Sequence, residues 1–68
     1  MIAHHYGTDL IPRKEVKPGT AIKYNGRDYR ASANVSKGLY AFSLLEKTII
    51  KHEFIEVYLN QSGKPLMH

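Results

Sequence analysis

The dipeptide Asn25-Gly26 constrains this chain more than any other feature. It stands between two runs, 20–24 and 27–34, in which apolar and polar residues alternate. A two-residue hairpin turn of the primed type needs positive φ at both central positions, and Asn-Gly adopts that geometry at low cost. The turn dictates a register. Tyr24 faces Arg27, Lys23 faces Asp28, Ile22 faces Tyr29 and Thr20 faces Ala31. Residues that face each other share a side of the sheet. One side therefore reads Ile22, Tyr24, Arg27, Tyr29, Ala31, Ala33 and Val35. The other reads Lys23, Asp28, Arg30, Ser32 and Asn34, with Lys23 and Asp28 as an opposite-charge pair.

Further strands follow from the same patterning. Pro18-Gly19 marks the start of the first strand, and Ser36-Lys37-Gly38 turns the chain into a third. In 39–44, Tyr40, Phe42 and Leu44 alternate with Leu39, Ala41 and Ser43. Glu46-Lys47 is a turn, and Thr48-Ile49-Ile50-Lys51 is a short strand rich in β-branched residues. His52-Glu53-Phe54 reads as a single helical turn before a closing strand at 55–59. Ser62-Gly63-Lys64-Pro65 makes the end of the chain a loose tail. The expected fold is mainly β: a small five-stranded barrel with one short helical turn. Phe42, Leu45, Ile49, His52 and Glu53 also fit helical spacing, so the alternative is an α+β fold with a helix at 43–53. The β-branched Thr48-Ile49-Ile50 favours strands. The expected organisation is an N-terminal arm at 1–17, the barrel at 18–60 and a flexible tail at 61–68.

The order of these signals resembles the Tudor and chromo-type barrels of the Src-homology-3-like class. The residues that carry the resemblance are Gly19, Tyr24-Asn25-Gly26, Tyr29-Arg30-Ala31, Gly38 and Tyr40-Ala41-Phe42, followed by the short strand, the turn and the closing strand. It spans residues 18–60 and consists of fold features. Tudor-like domains hold methylated Lys or Arg in an aromatic cage by cation–π attraction. The resemblance puts Tyr24 and Tyr29 at the first cage positions. Leu44 stands where a later ring is needed, so the implied cage is incomplete.

Composition and charge narrow the function. A chain of 68 residues makes one domain. Its core supplies roughly 3–5 kcal/mol at most, too small for a buried substrate cleft to be expected. With no Cys there is no disulfide framework and no thiolate metal site. No run approaches the ~18 apolar residues of a membrane span. Residues 1–10 have neither the basic start nor the apolar run of a secretory signal, so a cytoplasmic location is expected. The formal charge is +4, and the whole excess lies in residues 11–38. Such a local field steers partners, whereas net charge mainly sets solubility.

Candidate binding residues are therefore Lys23, Tyr24, Arg27 and Arg30 on the hairpin, Lys37 in the next turn, and Arg13, Lys14 and Lys17 before the first strand. Cations track phosphates and rings offer stacking surfaces for bases. His4 and His5 are adjacent, which points them to opposite sides of a strand, and neither they nor His52 and His68 have an acidic partner at ligand spacing. Glu53 and Glu56 have no nucleophile or positioned His beside them and read as a solvated face. No catalytic residue, metal or cofactor is expected. The preferred reading is a non-catalytic binding module: a small accessory, inhibitor or adaptor protein of bacterial or phage scale that docks on a larger protein or protein complex. The alternative is a nucleic-acid-binding protein that grips DNA or RNA with segment 11–38. Open strand edges also suit a homodimer, with Ile2, Tyr6, Leu10 and Ile11 lying across the barrel mouth or between two copies.

Overall fold

A computed structural model describes residues 5–67. The strands are β1 (Thr8–Pro12), β2 (Ala21–Tyr24), β3 (Arg27–Val35), β4 (Gly38–Phe42), β5 (Lys47–Ile50) and β6 (Phe54–Tyr58). They form one antiparallel sheet in the order β1-β6-β2-β3-β4-β5. The curled sheet encloses a core of Val16, Ile22, Tyr29, Ala31, Leu39, Ala41, Ile50, Ile55 and Val57. The molecule is mainly β, as the patterning requires, and the hairpin is in the expected register. Asn25 and Gly26 have φ of 52° and 74°, the two positive values the turn demands.

The strand count is six and not five. The additional strand, β1, lies within the segment expected to be an arm and pairs with β6 along its whole length. It is short, and its Pro12 lacks an N–H, which an edge strand tolerates. The helical turn is also elsewhere. Residues 51–53 are irregular, and the helical turn among the described residues is a 3-10 turn at Arg13–Glu15. The alternative helix at 43–53 is absent, because Ser43 opens a tight turn and β5 follows it.

One residue changes which side chains point inward. A bulge in β3 shifts its pairing with β4 between Ala31 and Asn34. An extra residue reverses the alternation beyond it. Asn34 therefore faces Leu39 on the core side, while Ala33 and Val35, expected inside, are exposed. The segment expected to be a flexible tail makes defined bonds. The Leu66 N–H donates to the Tyr58 carbonyl at 2.8 Å, and the Leu66 carbonyl accepts from the Ala21 N–H at 2.8 Å. Leu66 thus bridges β2 and β6 just beyond their last paired residues, and both Ala21 and Tyr58 are buried.

Candidate functional site

The basic segment is contiguous in sequence but divided in space. Arg13, placed by the 3-10 turn, is committed to the fold. Its Nη1 donates to Asn34 Oδ1 at 3.2 Å and to the Val35 carbonyl at 3.0 Å. Asn34 Nδ2 returns bonds to the carbonyls of Arg13 at 2.6 Å and Val16 at 3.0 Å. Lys14, Lys17 and Lys37 are exposed, Lys14 within the same 3-10 turn and Lys37 in the turn that follows Val35. Tyr24 and Arg27 sit at the far end of β3, up to about 26 Å away at ~3.3 Å per residue. Arg27 meets the Glu46 carboxylate at 3.4 Å, an exposed pair that contributes little stability. Lys23 faces Asp28 on one side and Glu56 on the other. Arg30, midway along β3, lies 5.4 Å from the centroid of the Phe42 ring. The fold therefore brings Tyr24 and Arg27 together beside Lys23, places Arg13 near Lys37, and leaves Arg30 between the two groups.

The tyrosines of the implied cage do not form one. Tyr29 is only 4% exposed, and its hydroxyl donates to the Glu46 carboxylate. That hydrogen bond, with desolvation, raises its pKa. Tyr24 meets Tyr29 at 6.0 Å and His52 at 5.5 Å, both in T-shaped geometry. Leu44 stands out in solvent instead of closing a cage. A shallow groove of about 200 Å³ lies beside Tyr24, between Leu10, His52 and Phe54. Its carboxylate, Glu56, already accepts from the Thr8 hydroxyl at 2.8 Å. Among the described residues no three His, Asp or Glu gather to hold a metal, and no helix is long and apolar enough to cross a membrane.

The feature that sequence reasoning missed lies on β4 and the turn after it. Leu39 and Ala41 fill the core, which turns the larger Tyr40 and Phe42 outward, 45% and 36% exposed. Beyond them Leu44 and Leu45 are 94% and 90% exposed. The turn that carries these leucines is tied at both ends. The Ser43 N–H donates to the Glu46 carbonyl at 2.8 Å, and Ser43 Oγ accepts from the N–H groups of Leu45 at 3.2 Å and Glu46 at 3.3 Å. The Glu46 side chain then anchors the turn to Tyr29 and Arg27 of the neighbouring strand. Two apolar side chains are thus held out in water on a fixed backbone. The sequence signal was Leu44-Leu45 as the two middle residues of a Ser-x-x-Glu turn that follows a strand. Because 39–44 is apolar at nearly every position, alternation alone does not say which residues face out.

Searches among curated proteins and among solved structures return no match. A family model does match, from residue 6, ahead of β1, to residue 58, the last residue of β6. That span takes in all six strands and agrees with the Src-homology-3-like shape expected from the hairpin and the turns that follow it. By this match, which covers most of its length, the chain belongs to the KilR SH3-type barrel domain family.

Proposed function

We propose that this domain is a non-catalytic module that docks on a larger protein, acting as a small accessory or inhibitor protein, through the outward face of β4 and the Leu44-Leu45 turn. One observation carries the reading: two leucines stand almost wholly in solvent on a turn fixed by Ser43 and Glu46. Exposed apolar groups of this kind mark interaction sites. A fixed backbone lowers the ordering cost of binding, so each buried leucine contributes more to affinity. Phe42 and Tyr40 extend the apolar surface, and Arg30 over the Phe42 ring supplies a cation at its border.

The competing nucleic-acid reading has less support. Arg13 is bonded within the fold, Arg27 is paired and Lys23 stands between two carboxylates. The test immobilises the full chain and captures partners from cell extract with and without nuclease. Retention that survives nuclease and is lost in the Leu44→Ser, Leu45→Ser double variant supports docking on protein. Retention that nuclease abolishes, and that falls steeply with salt, returns the function to nucleic acid.

A further inference from the structure

Resting on the docking reading above, we propose that the partner contributes an extended acidic segment, which adds to the sheet as a seventh strand against β5. Its pattern is acidic-x-apolar-x-acidic.

Three observations on β5 lead there. Among the described strands β5 pairs with β4 alone, so its other edge is unpaired. Lys47 faces the outward Phe42, and Ile49 faces the outward Tyr40. Lys51 follows at the next alternate position, one residue past the strand. The outer row along this edge is therefore cation, apolar, cation. Among the described residues neither Lys47 nor Lys51 is in an ion pair. Arg30 stands across Phe42 from Lys47 and adds to the positive field.

An added strand forms main-chain hydrogen bonds with the edge, and its alternate side chains read the neighbouring row. A segment with acidic residues at its first and fifth positions and an apolar residue at its third matches Lys47, Ile49 and Lys51 in turn. Opposite charges on directly facing positions stabilise a strand pair, and like charges oppose it. The same rule disfavours a second copy as occupant. Two β5 strands paired antiparallel about Ile49 would set Lys47 against Lys51 twice.

The test uses the full chain and two synthetic peptides labelled with a fluorophore. One is Ser-Glu-Thr-Val-Thr-Glu-Ser, and the other has both Glu replaced by Lys. Anisotropy should show the acidic peptide binding at least tenfold tighter than the Lys peptide. The Lys47→Glu, Lys51→Glu double variant should reverse that preference. Amide exchange in β5 should slow when the acidic peptide is bound. Equal binding of both peptides, no binding of either, or binding without slowed exchange in β5 would overturn the proposal. Self-association through β5 that the charge reversal abolishes would also overturn it. These outcomes are separable from the docking reading. Loss of the cellular partner on Leu44→Ser, Leu45→Ser without acidic-peptide binding leaves docking intact and removes the strand. Acidic-peptide binding with a partner retained despite the leucine changes does the reverse.

Discussion

β1 and β5 occupy the two margins of one sheet, and the chain treats them differently. β1 ends in Pro12, which has no N–H to offer, and carries Asp9 opposite Val57. Proline is a device that blunts a strand edge, and the exposed Asp9 adds a charge to it. Its continuation is fastened as well. The Arg13 N–H donates to the Glu53 carbonyl at 2.8 Å, and the Arg13 side chain is held by Asn34. β5 has neither proline nor acidic residue, and Thr48, Ile49 and Ile50 are all β-branched. Lys47 opens it and Lys51 follows it, and this pair discourages a second copy and welcomes an acidic chain. An edge strand is a liability that can be removed or put to use, and this molecule does one at each margin.

The largest expected effect is on the fastened side. Asn34→Ala removes the clamp on Arg13 and leaves the carbonyls of Arg13 and Val16 without their side-chain donor. At about 0.5–1.5 kcal/mol for each of three bonds, the cost should be about 2–3 kcal/mol in urea unfolding. If the loss stays below ~1 kcal/mol, β1 is secured by its pairing with β6 alone. On the open side, Gly38→Ala should cost about 2 kcal/mol, within the usual range for overpacking. A Cβ there would lie 2.8 Å from Ile49 Cγ1 and 2.9 Å from the Ile50 carbonyl oxygen, in a backbone with φ of 155°. The strain falls on β5, so amide exchange should quicken there first and leave β1 unchanged. Uniform quickening would mean that the two margins do not behave as separate units.

Local chemistry made the hairpin readable, because the turn residues and the flanking alternation specify the same register. What escaped the sequence depends on contacts between distant residues. Asn34 is drawn inward by the carbonyls of Arg13 and Val16, at the two ends of the 3-10 turn, and nothing next to it in the chain announces the bulge. β1 carries Thr8, Asp9 and Pro12 among its five residues and becomes a strand by lying against β6. The basic residues were visible as a cluster in sequence, but a nine-residue strand carries them apart, and partners such as Asn34 and Glu46 come from other elements. The β4 surface was hidden for the opposite reason, since both of its faces are apolar.

A smaller effect tests the seam between the margins. Tyr58 on β6 donates its hydroxyl across β2 to Asp28 on β3. Burial, followed by this bond to Asp28, pushes its pKa from the ordinary 10 up to about 12. A folded pKa above the unfolded one means that the fold favours the protonated form. The stabilisation is complete below pH 10 and is lost as pH rises to 12. The melting temperature should be insensitive to this group at neutral pH and fall across that alkaline window. Tyr58→Phe should cost about 1 kcal/mol at pH 7 and make the alkaline fall shallower. Tyr29, whose pKa is also raised, keeps some of the fall in place. An identical alkaline profile in the variant would show that the bond to Asp28 does not couple these strands.

The smallest expected effect on folding belongs to the residues given the largest role in binding. Leu44 and Leu45 touch little of the folded chain, so replacing both with Ser should change stability by less than about 0.5 kcal/mol. The turn should persist, because Ser43 and Glu46 hold it without the leucine side chains. Urea unfolding and the β5 amide exchange pattern check both points. Core positions such as Ile22 and Leu39 are fully buried and serve packing, whereas a leucine pair that contributes nothing to the fold needs a reason outside it. A loss above ~1 kcal/mol would identify Leu44 and Leu45 as part of the barrel's own packing and remove the free apolar tip from which docking is argued.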